Sequence, residues 1–215
     1  MNPFLLINGI RNNPCDMFAW TDRAERILQL EYGILSEKLE YKIGAIRPPS
    51  KMRSLSADLV KVVKRYNASG RRPNIMAHSN ANVLACRAFA AEPGIKIDTL
   101  FMVMPACWSS MKDNGLNHAL DRGQVKRIIC FGSDNDRVVK WGGRTSFLKP
   151  LGMGYGDASY RGLTDIAQGL ERQVRNIRIN KWGHSDFGTE ANLHRFLRDS
   201  ILPMAGGGMG APELL

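Results

Sequence analysis

Asn74-Ile75-Met76-Ala77-His78-Ser79-Asn80-Ala81-Asn82-Val83-Leu84-Ala85 is the stretch that decides the fold. Asn74 to His78 is a short, largely apolar run of strand length, and Asn80 to Ala91 follows at once as a helix of mostly small residues. Only Ser79 stands between them. Its neighbours two positions before and two after, Ala77 and Ala81, are both small, which a tight strand-to-helix corner requires because the backbone crowds those positions. A serine at the start of a helix is also an ordinary N-cap, so the corner takes its meaning from the rest of the chain.

The same alternation of strand and helix extends in both directions. Phe4 to Ile7 is an apolar strand running into Asn8-Gly9 and the polar stretch Arg11-Asn12-Asn13-Pro14. From Met17 to about Leu30, Trp20, Ala24, Ile27 and Leu28 form one apolar stripe of a helix that Gly33 is placed to stop. Leu39 to Ile46 reads as the next strand, closed by Pro48-Pro49, and a helix capped by Ser54 or Ser56 carries Leu59, Val62, Val63 and Tyr66 on its inner face. Beyond the serine corner, Ile97 to Met104, Val125 to Phe131 and Val174 to Ile179 add three more strands. A last helix has Thr189 as its cap and Leu193, Phe196, Leu197 and Ile201 as its buried stripe. Unbroken apolar strands separated by helices imply a mostly parallel sheet of roughly six strands with helices on both faces, the α/β class. Residues 1–202 are expected to form one domain, and 203–215, with Gly206-Gly207-Gly208 and Gly210, a flexible tail.

Composition narrows the partners. The 215 residues are 44% hydrophobic and 23% charged, an ordinary globular balance that excludes a disordered, collagenous or disulfide-dense chain. The apolar opening Phe4-Leu5-Leu6-Ile7 is too short for a membrane span and lacks a basic lead, so a cytoplasmic location is expected. Cys15, Cys86, Cys107 and Cys130 show no zinc-ligand spacing. A formal net charge of +10 favours anionic partners, yet no nucleic-acid motif or basic run with interleaved aromatics accompanies it. Nine basic residues and the single acid Asp58 lie between Lys42 and Arg72. Several of the nine belong to a solvated helix face, whereas Arg47, Lys51 and Arg53 follow a strand's carboxyl end.

Two further segments bear on chemistry. Phe131-Gly132-Ser133-Asp134-Asn135-Asp136-Arg137-Val138-Val139 puts an acid just past the fifth strand, and Trp182-Gly183-His184-Ser185-Asp186-Phe187 puts a histidine just past the sixth. In a parallel sheet all carboxyl ends share one edge, so Ser79, Asp136 and His184 are expected to converge there. That is the set a nucleophilic serine requires: a base to take its proton and an acid to hold the base. Asp134 is the rival acid. His78 is expected to pack or orient, His118 and His194 to be solvated, and Asp186 to cap the final helix.

With its serine corner, its Gly-x-x-x-Asp-x-Val-Val segment and its Gly-His-Ser-Asp-Phe segment in that order, the chain resembles the α/β-hydrolase family, whose acid lies in a Gly-x-x-Asp-x-Val-Val stretch, up to about Leu202. The resemblance implies a serine hydrolase of the carboxylesterase or lipase type, working through an acyl-enzyme and needing no cofactor or metal. It implies Ser79 as nucleophile, Asp136 as acid and His184 as base. Asn8-Gly9-Ile10 resembles the family's His-Gly-x turn, which implies an oxyanion hole from the backbone N–H groups of Ile10 and Asn80, with Arg11 the alternative to Ile10. Alanine at 77 and 81 and asparagine at 8 depart from the family's usual residues.

Substrate choice should lie in two segments above the sheet edge: Pro105 to Gly123, with Trp108 and Met111 as acyl-pocket candidates, and Lys140 to about Thr164, with Trp141 and a glycine content that suits either a lid or a plain connector. The first is too short for a separate cap domain, so a small or exposed ester is expected, anionic if the basic rim steers it; thioesters and amides stay open. The competing reading is a non-catalytic binding or scaffold protein that uses the same fold and its basic surface.

Overall fold

The computed structural model describes residues 1–9, 19–39, 49–142, 156–179 and 181–206. Six strands, β1 (Phe4–Ile7), β2 (Ser36–Leu39), β3 (Asn74–His78), β4 (Ile97–Val103), β5 (Val125–Gly132) and β6 (Val174–Arg178), form one sheet in the order β2-β1-β3-β4-β5-β6. Every pairing is parallel. The class expected from the alternation is therefore the class observed, and the sheet is wholly parallel.

Helices cover both faces because the strands are apolar on both. Leu5, Ile7, Ile75, Ala77, Leu100, Met102, Ile128 and Cys130 belong to one buried cluster, which also takes residues from α2 (Pro49–Ala68), α3 (Ala81–Ala91) and α4 (Leu116–Asp121). The intervening Phe4, Leu6, Met76, Phe101, Val103, Ile129 and Phe131 belong to a second, shared with α1 (Ala19–Leu30) and α7 (Glu190–Phe196). Period-two alternation thus divides one strand between two cores, and each fully buried Phe or Leu is worth roughly 1.5–3 kcal/mol of transfer free energy. The helix stripes read from the sequence are buried at Trp20, Ala24, Ile27 and Leu28 in α1 and at Leu59, Val63 and Tyr66 in α2, while Val62 is half-buried.

Three expectations are corrected. The second described strand is Ser36–Leu39, which starts before the expected Leu39 to Ile46; residues 40–48, which hold the rest of that expectation, lie outside the described residues. It is an edge strand, only Ser36 being buried, so it carries no apolar run to mark it. Its neighbour α2 starts at Pro49, ahead of both serines proposed as caps. Proline is well suited to a first helical position, where its missing N–H has no partner to lose. Ser56 lies inside the helix and donates to the Met52 carbonyl at 2.8 Å. At the other end, the chain stays helical past Leu202: a π-helical turn (Leu197–Ile201) leads into α8 (Leu202–Ala205), where Met204 and Ala205 are buried. The expected tail boundary after Leu202 therefore falls inside a packed helix, and residues 207–215 lie outside the described residues.

Topology fixes where a site can form. The chain moves from β1 to β2 on one side, then crosses to β3 on the other side of β1, so strand order reverses between β1 and β3. Ligands of open parallel sheets bind at the carboxyl ends of strands beside such a reversal. Asn8-Gly9 ends β1 there, and Ser79 ends β3.

Candidate active site

Ser79 has φ +54°, a left-handed conformation that costs a non-glycine residue of order 1–3 kcal/mol unless its surroundings hold it. They do. Its N–H donates to the Val103 carbonyl at 3.0 Å, and its own carbonyl accepts from the N–H groups of Asn82 and Ala106, both at 3.2 Å. The Asn82 side-chain amide, fully buried, donates at 3.0 Å to the carbonyls of both Ala77 and Ser79 and so ties the end of β3 to the corner. Ser79 is not a helix cap: the N-cap position of α3 falls to Asn80.

Gly9 explains the opposite wall. A Cβ placed on it would stand 2.7 Å from the Ser79 Cβ and 3.2 Å from the Ser79 Oγ, so only glycine lets the end of β1 pass this close to the serine. Asn8 turns its side chain inward, where Oδ1 accepts from the Gly9 N–H and from Trp20 Nε1, each at 2.8 Å.

The hydroxyl of Ser79 lies 2.9 Å from His184 Nε2, and His184 Nδ1 lies 2.8 Å from Asp136 Oδ2. Three residues separated by 57 and 48 positions in sequence thus form one linear relay, all of them buried. Asp136 has no exposed surface. Burial alone would push its carboxyl up; hydrogen bonds from His184, from Ser159 Oγ at 2.6 Å and from the Val139 N–H at 3.0 Å outweigh that and hold it below the usual carboxylate range. Asp134, the rival acid, is exposed and faces Arg178 Nη1 at 3.7 Å.

His78 is buried against His184, Phe187 and Trp20. Its Nε2 lies 3.0 Å from the His184 carbonyl, so it holds the backbone of that residue and not its ring. Burial first, and the neighbouring His184 second, lower its pKa to about 3. It is therefore neutral, and its other ring nitrogen, Nδ1, lies 3.3 Å from Asn8 Oδ1. Of the histidines expected to be solvated, His118 is exposed, whereas His194 Nε2 meets Glu31 at 2.7 Å. Asp186 accepts the Gly183 N–H on its side chain at 2.7 Å and so closes the turn that carries His184.

Ser159 is the residue the sequence did not point to. It lies in α6 (Ala158–Arg161), inside the segment expected to be a lid or connector. The described part of that segment is neither: Gly156, Ala158 and Ser159 donate their N–H groups to the carbonyls of Ala106, Cys107 and Pro105. A Cβ at Gly156 would come within 2.0 Å of Cys107 backbone, and one at Gly132 within 2.2 Å of the Ser159 carbonyl. These glycines serve close approach, which is the signal that a reading for flexibility passes over.

The remaining candidates divide. Met111 has no exposed surface and packs in the core beneath α3 and α4, so it is corrected from acyl-pocket residue to core residue. Trp108 is half-buried, two residues beyond the Ala106 bond to Ser79. Ile10, Arg11 and Arg47 lie outside the described residues, as does the Trp141 side chain. Lys51 and Arg53 are exposed in the first turns of α2 and make no ion pair among the described residues, whereas Lys61, Lys64 and Arg65 further along pair with Asp58, Glu92 and Glu37.

No protein-family model matches the sequence, and no curated protein matches it. Solved structures do match in shape. The monoacylglycerol lipase of Paleococcus ferrophilus superposes with a TM-score of 0.56 at 10% identity, over 96% of each chain. A carboxylesterase structure from the ammonia-oxidising thaumarchaeon Nitrososphaera gargenis gives 0.55 at 12% identity, over 96% of this chain and 91% of that one. The Francisella virulence factor BioJ gives 0.58 at 11% identity, over 96% of this chain and 77% of that one. With the reversal of strand order between β1 and β3 and a strained serine at the end of β3, these likenesses give the chain the fold of the α/β-hydrolases.

Proposed function

We propose that this protein is a serine hydrolase that cleaves a carboxylic ester through an acyl-enzyme intermediate. The observation that carries the proposal is the relay of 2.9 Å and 2.8 Å from Ser79 through His184 to Asp136. Both distances are within hydrogen-bond reach, and each role follows from what the atoms can do. Neutral His184 takes the Ser79 proton on Nε2 as Oγ attacks the ester carbonyl. Asp136 holds the Nδ1 proton and stabilises the imidazolium. The tetrahedral oxyanion is met by the Asn80 N–H, with the Ile10 N–H as the proposed second donor. His184 then returns the proton to the leaving alcohol, and a water activated by the same nitrogen releases the acid and restores Ser79.

The free Asn80 N–H supports this reading: among the described residues it donates to nothing, although Asn80 is almost fully buried. Fixed donors of this kind are worth roughly 2.7–4 kcal/mol to the transition state. Lys51 and Arg53, exposed in the first turns of α2 and without an ion pair among the described residues, favour an anionic small-molecule ester. No described helix is long and apolar enough to cross a membrane. The buried free thiols Cys86, Cys107 and Cys130 suit a reducing, cytoplasmic compartment. A panel of p-nitrophenyl esters of graded acyl length, run on the wild type and on Ser79→Ala, tests the proposal: turnover of the shorter esters that disappears in the variant is expected, and equal turnover by both proteins rejects it.

A further inference from the structure

Asn80 is 1% exposed, and among the described residues neither Oδ1 nor Nδ2 of its amide has a hydrogen-bond partner. Asparagine is among the best N-cap residues and it stands at the N-cap position of α3, yet it makes no cap bond. A buried amide left unpaired forfeits its hydration with nothing in return. Such a group is a binding determinant awaiting a ligand when it also lies where a ligand must come.

Asn80 stands beside that place. It follows Ser79 directly, so the two Cα atoms are about 3.8 Å apart, and its backbone is part of the corner that would carry an acyl group on Ser79. An aliphatic acyl chain would leave both polar atoms unsatisfied in the complex as well as in the free protein. A substituent able both to donate and to accept would satisfy them, and Asn supplies one of each.

We propose that the Asn80 side chain selects the substrate, binding a hydroxyl or similar hydrogen-bonding group on the acyl portion within two carbons of the scissile carbonyl. The substrate class is then a hydroxyacyl or comparably substituted ester and not a plain fatty-acid ester. The inference rests on the serine-hydrolase reading above. It assigns Asn80 two separate tasks, one for its backbone N–H in catalysis and one for its side chain in specificity.

The test uses the full chain and two matched pairs of p-nitrophenyl esters, 2-hydroxybutyrate against 2-methylbutyrate and 3-hydroxybutyrate against 3-methylbutyrate. Within each pair a hydroxyl replaces a methyl. The ratio of kcat/KM within a pair is measured for the wild type, Asn80→Leu and Asn80→Ala. Dividing the wild-type ratio by the variant ratio cancels the intrinsic reactivity of the esters. A quotient of roughly 10–100 for at least one pair is expected, because a site built to hydrogen-bond a hydroxyl discriminates strongly against an analogue lacking it. The Ala variant guards against a Leu variant that packs badly. Quotients near one for both pairs in either folded variant overturn the inference while leaving Ser79-dependent hydrolysis intact. If the wild type cleaves none of the four esters and a fluorophosphonate does not label Ser79, the serine-hydrolase reading falls and this inference with it.

Discussion

Ser159 donates its hydroxyl proton to Asp136 Oδ2 at 2.6 Å, on the same oxygen that faces His184 Nδ1. The acid of the relay is therefore held from two sides inside the protein, and one of them comes from a segment 23 residues further along the chain.

Ser159→Ala removes one of the bonds that keep Asp136 ionised. A buried hydrogen bond to a charged group is worth roughly 1.5–3 kcal/mol, so kcat/KM should fall by about 10–100-fold. The sign of the pH effect is also set. With fewer donors the Asp136 carboxyl titrates at higher pH, so activity lost through protonation of Asp136 is lost at higher pH in the variant than in the wild type, which moves the acid end of the kcat/KM profile upward. An unchanged acid limb contradicts the role given to Ser159.

Gly9→Ala places a Cβ 2.7 Å from the Ser79 Cβ, and either β1 or the serine must move. Since a shift of about 1 Å at reacting atoms costs on the order of 100-fold in rate, the variant should lose about that much esterase activity while keeping its far-UV circular dichroism. Full activity would show that the contact between β1 and Ser79 does not govern the site.

His78 makes stability depend on pH. Its folded pKa is near 3 and its unfolded value about 6.5, so between these limits the unfolded chain binds a proton that the folded chain does not. Stability should then fall on acidification through this window, by up to about 1.4 kcal/mol per pH unit from this residue. Asp136 also favours the folded state at higher pH, but its contribution is present in full above about 3.9 and is lost only as pH falls below that, so above that pH the slope between them comes from His78. Urea unfolding of wild type and His78→Gln between pH 4.5 and 6.5 should show the steeper slope in the wild type; parallel slopes would mean that His78 gains its proton without cost in the folded protein.

Lys51→Gln with Arg53→Gln tests the basic rim. If these exposed charges steer the substrate, kcat/KM for an anionic ester should drop several-fold relative to a neutral one, and the difference should shrink as salt is added. An unchanged ratio leaves the charge as general surface character.

Much of this site could be read from the sequence because a parallel sheet does the assembling. Once each strand was recognised, the residues just past the ends of β3, β5 and β6 had to meet at one edge, and Ser79, Asp136 and His184 are those residues. The parts that were hidden depend on contacts with no local pattern. Ser159 reaches Asp136 only because Gly132 and Gly156 let a later segment press against backbone, and an isolated glycine does not announce whether it bends or makes room. Ser36–Leu39 is half-exposed at the sheet's edge, so the apolar rule that found the central strands pointed past it. Met111 was misplaced for a related reason: sequence position put it above the sheet edge, while the loop turns its side chain down into the core.

The central claim is that Ser79 is a nucleophile activated by His184. Incubation of the full chain with a fluorophosphonate probe, followed by peptide mass mapping, tests it most directly. The account predicts a single adduct on the Ser79 peptide that forms readily in the wild type, slows by orders of magnitude in His184→Ala, and is absent in Ser79→Ala. A folded wild-type protein that remains unlabelled, or that labels equally fast without His184, contradicts it.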